Sequence, residues 1–134
     1  MKKILLLIAI IAIGVNYASA QQAKADIKFD ETTINVGEFS EKNPVVTATY
    51  NFTNVGNGPL VIHQAIASCG CTVPEYSEEP ILPGKTGSVK VVYNGKGKSP
   101  GYFKKSITLR TNAKTEMIRL FIEGTMLSKK ESKE

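Results

Sequence analysis

The sequence predicts an all-β protein, an antiparallel β-sandwich of about seven to eight strands that follows an N-terminal signal peptide. From residue 26 onward no segment keeps a helical period for three turns. Apolar and polar residues instead alternate, as in strands with one buried face. Gly, Pro and Asn interrupt this alternation about every eight to twelve residues, which is typical of short strands joined by turns.

Residues 1–20 have the composition of an export signal. Two lysines open the segment, and residues 4–13 form an apolar run that is too short to span a bilayer as a helix. The segment ends in Ala-Ser-Ala, so we expect cleavage between Ala20 and Gln21. An uncleaved membrane anchor is the alternative, but it would need a longer apolar run. No cysteine lies at this junction, so we expect a periplasmic or secreted protein and not a lipoprotein.

Removal of residues 1–20 leaves a chain long enough for one domain and too short for two. We expect that domain over residues 21–128, followed by a charged tail over residues 129–134. The mature chain has 15 Lys and Arg against 12 Asp and Glu, scattered along the sequence. This balance favours solubility and does not indicate the focused basic face that nucleic acids require. We therefore expect no nucleic-acid partner, and no membrane span after signal cleavage.

Seven segments are expected to form strands: residues 26–29, 33–39, 45–54, 60–68, 87–93, 101–111 and 115–126. The first two are predicted to be an opening pair, and the last two a hairpin. This number of short strands in one domain is the pattern of an immunoglobulin-like sandwich. A partly open barrel with the same strand count is the alternative.

Alternation also predicts which side chains point inward. In Val45–Asn54, for example, Tyr50 and Phe52 share a face that is opposite to Thr49. Ile66 is predicted to point inward in its own strand. The residues predicted to share one core are Tyr50, Phe52, Ile62, Val91, Ile107, Leu109, Leu120 and Ile122.

The order of the turns and motifs resembles a known family. An Asn-rich and Gly-rich turn at residues 54–59 precedes Cys69-Gly70-Cys71, and a Pro-Gly turn at residues 83–84 follows. This order resembles the family filed as domain of unknown function 1573, from about residue 29 to residue 126. Its members are exported bacterial proteins similar to the immunoglobulin-like domains of the major-sperm-protein and ASH type. The resemblance implies a fold and a compartment, but no activity and no catalytic residues.

Cys69 and Cys71 are the residues most able to carry chemistry. They are the only cysteines, and in an oxidising compartment an even pair suggests a disulfide. Such a short loop would contribute only about 1.6 kcal/mol of loop-closure entropy. Three interpretations are open: a local disulfide that shapes the loop, a redox-active or partner-linking dithiol, and a site for a soft metal such as Cu(I).

The other candidate residues indicate no catalysis. His63, the single histidine, would lie about 20 Å from Cys69 along an extended strand, too far to share a metal ion, and is expected on the surface. Residues 95–99 lack the glycine and the helix of a phosphate-binding loop. One run of acidic residues is interpreted as a solvated rim: Glu75, Glu78 and Glu79. We expect no enzyme and no cofactor.

The sequence therefore favours an exported, non-catalytic binding or scaffolding module of a bacterial cell envelope, with a protein or peptide as its partner. The candidate surfaces are the Cys-Gly-Cys loop and residues 94–100. Sandwiches of this type also commonly present their sheet edges to partners, where an extended peptide can add as a strand. The alternative is a soft-metal-binding or thiol-redox protein that uses Cys69 and Cys71.

Overall fold

A computed structural model of the protein describes residues 22–131. Within that range there are eight strands and no helix. The strands are β1 (Ile27–Phe29), β2 (Thr33–Ser40), β3 (Val45–Asn54), β4 (Ile62–Ala67), β5 (Thr72–Tyr76), β6 (Thr86–Asn94), β7 (Gly101–Thr111) and β8 (Met117–Leu127). The signal peptide predicted over residues 1–20, its cleavage site at Ala20 and Gln21, and residues 132–134 of the predicted tail lie outside the described residues.

The strands form two four-stranded sheets that pack face to face. Sheet I has the order β1-β3-β6-β5 and is antiparallel throughout. Sheet II has the order β2-β8-β7-β4, in which β8, β7 and β4 are antiparallel and β2 runs parallel to β8. The predicted fold class, an immunoglobulin-like β-sandwich, is confirmed.

The core lies between the two sheets. Every residue that the alternation assigned to it is buried, and none is more than 5% exposed. Tyr50 is the polar member, and its hydroxyl crosses from sheet I to donate a hydrogen bond to the backbone oxygen of Phe121 in sheet II. Tyr93 stacks on Phe103 from the facing sheet, with ring centroids 3.9 Å apart. The inward registers of β3, β6, β7 and β8 are therefore as predicted.

The predicted opening pair of strands is wrong. Ile27 in β1 lies opposite Asn54 of β3 in sheet I, whereas Thr33 in β2 lies opposite Phe121 of β8 in sheet II. The chain crosses from one sheet to the other at residues 30–32. Each of the two strands thereby extends a different sheet, and neither can pair with the other.

Strand β5 was not predicted, because its alternation is inverted and contains a proline. Thr72 is only 3% exposed, whereas Val73 is 53% exposed. The Asn94 amide donates to the Cys71 carbonyl, so Cys71 and Asn94 are a hydrogen-bonded pair of this antiparallel ladder. Such pairs alternate with pairs that are not hydrogen-bonded. Thr72 and Pro74 are in the second class, and their backbone groups face the open edge of the sheet. Proline costs no ladder hydrogen bond there, which is why an edge strand accepts it.

The inward orientation predicted for Ile66 is also wrong, since its side chain is 48% exposed. The register of β4 against β7 shifts between Ile62 and Gln64. A shift of one residue exchanges the two faces of a strand, so beyond the bulge Ala65 and Ala67 are the less exposed side chains. His63 is exposed at the bulge, on the surface where it was expected.

Candidate functional site

The loops of the sandwich gather at two opposite ends. At the end that we call the cysteine end lie residues 41–44, 68–71, 95–100 and 128–131. At the other end, called the asparagine end after Asn54, lie residues 22–26, 55–61, 77–85 and 112–116. The crossover at residues 30–32 lies along the side of the sandwich, where the Phe121 amide donates to the Thr32 carbonyl. Strand β3 runs from one end to the other, so they are about 30 Å apart. The two loop surfaces predicted from the sequence, the Cys-Gly-Cys loop and residues 94–100, are both at the cysteine end.

Cys69 and Cys71 form the turn between β4 and β5, where a disulfide joins them and their Cα atoms lie 5.3 Å apart. The Thr72 hydroxyl lies 3.5 Å from the sulfur of Cys69 and 3.7 Å from that of Cys71. Both cysteines are half-buried, and Gly70 between them is exposed. A Cβ at Gly70 would meet no atom within 4 Å, so the tip of the turn faces open space.

Backbone hydrogen bonds hold this turn on both sides. The Ser68 amide donates to the Ser106 carbonyl at 2.9 Å, and the Ser106 amide donates to the Ser68 hydroxyl at 3.1 Å. On the other side the Asn94 amide donates to the Cys71 carbonyl at 2.8 Å. The disulfide is therefore not the only restraint on the turn, and its neighbour across the Asn94 bond is the loop 95–100.

Loop 95–100 begins buried and ends exposed. The Gly95 amide donates to the Pro44 carbonyl at 2.9 Å, and a Cβ at Gly95 would press against the sulfur of Met126. Beyond this anchor Lys96 and Lys98 are exposed. Gly97, at the tip, has a φ of 79°, in the left-handed region that favours glycine. The loop is fixed at its root and carries two lysines beside the cysteine turn.

The charges that look scattered along the sequence are segregated in space. The described loops of the cysteine end carry five lysines against two glutamates: Lys42, Lys96, Lys98, Lys129 and Lys130 against Glu41 and Glu131. The asparagine end carries four acidic residues against three lysines: Asp26, Glu78, Glu79 and Glu116 against Lys24, Lys85 and Lys114. The cysteine end is therefore the basic end of the sandwich.

A buried asparagine holds the opposite end together. The Asn54 side-chain amide donates to the carbonyls of Gly58 and Ile81, both at 2.8 Å. Its side-chain oxygen accepts from the amides of Gly56 at 3.0 Å and Asp26 at 3.4 Å. One side chain with no exposed surface thus ties three loops to each other. Sequence reasoning used Asn54 only as part of a turn motif; an Asn directly before a Gly-rich turn was the available signal.

The glycines of that turn are required by close packing. A Cβ at Gly56 would overlap the backbone of residues 24–26, and one at Gly58 would press on the backbone of Ala23. The same N-terminal segment is held by backbone bonds, among them Lys114 N–H to the Ala25 carbonyl at 2.9 Å. The turn motif therefore serves the packing of the fold.

A shallow, open cleft of about 460 Å³ lies on sheet I and is lined by Asp30, Asn51, Thr86, Gly87 and Ser88. Across residues 22–131, no three His, Cys, Asp or Glu side chains come together in a way that could hold a metal ion. Nor does that part of the chain contain a helix long and apolar enough to cross a membrane.

The family model described as "Protein of unknown function (DUF1573)" matches residues 27–126. The chain belongs to this family. The match runs from the first residue of β1 to nearly the end of β8, so the DUF1573 region is the whole sandwich. It includes both the Asn54 turn and the Cys69–Cys71 turn, and the resemblance noted from the sequence is confirmed.

Solved structures extend the likeness of this DUF1573 domain to other proteins at the level of fold. A protein of unknown function from Porphyromonas gingivalis W83 has 16% identity and a TM-score of 0.69, with 82% of this chain and 51% of that chain covered. The ASH/PapD-like domain 7 of human CEP192 has 8% identity and a TM-score of 0.61, with 78% and 87% covered. The Pseudomonas aeruginosa CupB2 chaperone has 10% identity and a TM-score of 0.52, with 78% and 57% covered.

This chain therefore spans about half the length of the P. gingivalis protein. No curated protein matches it at a significant level. At such low identities the shared feature is the sandwich, which many unrelated functions use.

Proposed function

We propose that this protein is an exported, non-catalytic binding or scaffolding module of a bacterial cell envelope, and that it engages a protein partner through its cysteine end. One observation carries the proposal. The Cys69–Cys71 turn and the loop 95–100 are neighbours at one exposed, basic end, joined by the Asn94 hydrogen bond. Loops that a rigid scaffold presents together are the usual place for binding residues.

Export is supported by residues 1–20 and by the cysteine pair. The N-terminal composition is that of a signal peptide with cleavage between Ala20 and Gln21. A disulfide such as Cys69–Cys71 persists in oxidising compartments, of which the periplasm is one. Intact-mass measurement of the exported protein tests this directly: the chain should begin at Gln21, and recovery of the whole precursor from membranes would contradict it.

A non-catalytic role is supported by the chemistry of the surface. His63 is the only histidine, and its exposed side chain forms no hydrogen bond within residues 22–131. The cleft on sheet I presents hydroxyl and amide groups and one carboxylate, Asp30. General acid–base or nucleophilic catalysis requires a base within hydrogen-bond reach of the group that it activates. The described cleft supplies no such pair.

Loops are better supported than sheet edges as the binding surface. Strand β1 has only three residues, and β2 has an irregular register between Asn35 and Glu38. The bulge in β4 and Pro74 in β5 interrupt the other two edges. Short strands, bulges and prolines are devices that discourage the addition of a further strand. The fold-level likeness to the CupB2 chaperone supports a role with protein partners but does not select an edge.

Affinity capture from envelope extracts tests the proposal. The mature protein is compared with Lys96→Gln/Lys98→Gln and with Lys28→Gln/Lys90→Gln, which removes the same charge from the outer face of sheet I. The wild type and the sheet I control should retain one partner that the loop variant loses. Equal capture by all three proteins would contradict a role for the cysteine end.

Thiol exchange is a second candidate function, and the observation in its favour is the position of the disulfide at the tip of an exposed turn. A partner thiolate would attack one sulfur to form a mixed disulfide, and the other cysteine would leave as a thiolate. A thiol titration with and without reductant tests this exchange. Reduction followed by Cu(I) or Zn(II) titration tests the metal version, in which only these two thiolates would bind the ion. A disulfide that no thiol can reduce would contradict the exchange, and reduced protein that binds neither Cu(I) nor Zn(II) would contradict the metal version.

A further inference from the structure

The outer faces of the two sheets carry different side chains. On sheet I the outward residues of β3 and β6 are mainly hydroxyl and amide groups: Thr47, Thr49, Asn51, Thr53, Thr86 and Ser88. On sheet II the outward residues of β7 and β8 include Ser106, Thr108, Glu123 and Thr125, but also several cationic, aromatic or flexible apolar groups: Lys104, Arg110, Met117, Arg119 and Phe121. Aromatic residues, Met and Arg are the side chains enriched in protein interfaces, which singles out sheet II.

Both arginines of the chain lie on this face, at diagonal positions of adjacent strands. Arg110 of β7 is opposite Met117 of β8, and Thr108 of β7 is opposite Arg119 of β8. Diagonal neighbours on one face of an antiparallel pair are about 7–8 Å apart. The two arginine side chains therefore leave the same outer face of sheet II from neighbouring positions.

Neither arginine is used by the fold. Both are exposed, and no residue within 22–131 accepts a hydrogen bond from either guanidinium or pairs with it as an ion. Arginine presents a planar fork of donors that matches the two oxygens of a carboxylate. Two adjacent, unpaired forks form a recognition element for a pair of carboxylates.

Apolar side chains border the arginines on two sides. Met117 is 61% exposed beside Arg110, and Ile66 of β4 is 48% exposed opposite Thr108, in the row that ends in Arg119. The bulge in β4 is what turns Ile66 outward. We call the set Ile66, Thr108, Arg110, Met117 and Arg119 the arginine patch.

The same face is already ordered on one side of the patch. The Lys104 ammonium lies 4.9 Å from the centroid of the Phe121 ring and 4.0 Å from the Glu123 carboxylate. The Tyr102 hydroxyl donates to that carboxylate at 2.5 Å. Lys104 and Glu123 thus satisfy each other and leave the positive charge of Arg110 and Arg119 uncompensated on this face. Side chains that are held before binding reduce the entropy lost on association.

We propose that the arginine patch binds an acidic peptide segment of a protein partner, in which two carboxylates lie on the same side of an extended chain. Residues i and i+2 of such a segment are about 6.6–6.8 Å apart, which matches the diagonal spacing of the two arginines. An apolar side chain further along the segment would then lie on Ile66 or Met117. The inference goes beyond the proposed function, since it adds a second surface, on sheet II, to a chain whose proposed contact is the cysteine end.

Other anionic ligands fit this surface less well. Membrane recruitment by headgroup charge typically uses clusters of about four to eight basic residues. Binding to a nucleic acid relies on a stripe of many phosphate contacts. Here two arginines stand between apolar side chains, a combination that suits a short peptide carrying both carboxylates and aliphatic groups.

Fluorescence anisotropy with a defined probe tests the proposal. The probe is a labelled peptide of sequence Glu-Ser-Glu-Ser-Leu-Ser-Leu, and its control peptide has Gln in place of Glu. Each is titrated with the mature wild-type protein, with Arg110→Gln/Arg119→Gln, and with the charge-matched Lys28→Gln/Lys90→Gln. We expect the acidic peptide to bind the wild type and the lysine control alike, and the arginine variant at least about tenfold more weakly. The Gln peptide should bind all three weakly.

Two further arms make each outcome decisive. Met117→Ser should weaken the acidic peptide by about threefold while leaving the charge unchanged. Lys96→Gln/Lys98→Gln should bind it like the wild type, so failure of the cysteine end and failure of the arginine patch are separable. Equal affinity of the two charge-matched double variants, or no binding of the acidic peptide, would overturn the proposal. So would binding to phosphatidylglycerol vesicles that depends on the arginines while peptide binding does not.

Discussion

The asparagine end and the cysteine end are both built from loops that contain glycine, yet different interactions hold the loops of each end in place. At the asparagine end the fully buried Asn54 makes four hydrogen bonds to three loops, and Gly56 allows the N-terminal segment to pass in contact. At the cysteine end the turn is held by backbone bonds and by a disulfide that spans three residues. The family match includes both motifs, and we expect the first to matter more for the packing.

The comparison assigns different roles to two motifs that look alike in the sequence. Removal of a buried, fully bonded polar group leaves several desolvated partners unpaired, so the first motif should be intolerant of change. The cysteine turn faces solvent, with Gly70 exposed and surrounded by open space. Changes there should affect binding more than stability.

The largest effect is expected for Asn54→Ala. The change leaves the Gly58 carbonyl and the amides of Asp26 and Gly56 without this partner and removes one of two hydrogen bonds to the Ile81 carbonyl. It should therefore lower the free energy of unfolding by about 3 kcal/mol or more. Asn57→Ala is the matched control in the same turn, because the Asn57 side chain is exposed and accepts one bond from the Lys24 amide. It should cost about 1 kcal/mol or less. Equal losses of unfolding free energy for Asn54→Ala and Asn57→Ala in urea melts would contradict the architectural role of Asn54.

Leu109→Ala tests the core that joins the two ends. Leu109 has no exposed surface, so its truncation should cost about 2–5 kcal/mol, and Leu120→Ala should behave alike. Thr49→Ala, on the outer face of β3, should stay within about 0.5 kcal/mol of the wild type. Similar losses for Leu109 and Thr49 in chemical denaturation would show that the strand registers are wrong.

Those registers were predictable wherever a long strand has one buried face. Strands β3, β6, β7 and β8 alternate over most of their length, and their inward residues follow from the period of two. Ile66 was mispredicted because a bulge after Ile62 exchanges the faces, and no residue type marks a bulge reliably. Strand β5 was missed for a related reason. Its threonine is buried and its valine is exposed, which is the reverse of the pattern that predicts a strand with one buried face.

Long-range features were less predictable than local ones. The split of β1 and β2 between two sheets depends on which partner strand each one meets, and the local sequence does not encode that choice. The same holds for the candidate surfaces. The sequence indicates the Cys-Gly-Cys turn and residues 94–100 separately, and only the topology brings them to one end. The outward row of Arg110, Met117 and Gln64 likewise needs three strands in register.

A smaller effect is expected for Cys69→Ser/Cys71→Ser. A loop of three residues contributes little closure entropy, and Ser68 and Cys71 keep their backbone bonds, so the loss should stay below about 2 kcal/mol. Reduced wild type should melt close to the double variant. A double variant that is unfolded in buffer would mean that the cysteine turn is also required for folding.

The smallest effect is expected for Tyr50→Phe, which removes the hydroxyl that bridges the sheets. It should cost about 1 kcal/mol at pH 7. Burial raises the pKa of Tyr50 above its ordinary value of 10.0. The folded state then holds the proton more tightly than the unfolded state, so this contribution is complete below about pH 10 and is lost as the pH rises further. Stability measured between about pH 9 and pH 11.5 should therefore fall less steeply in Tyr50→Phe than in the wild type, and equal slopes would contradict this role.

Site-specific photo-cross-linking in the cell envelope tests the central claim, that a protein partner engages the cysteine end, most directly. A photoreactive side chain in place of Gly70 has open space around it, and one in place of the exposed Glu79 samples the asparagine end. We predict a discrete adduct from position 70 and none from position 79. Adducts from position 79 alone, or from neither position, would contradict the account.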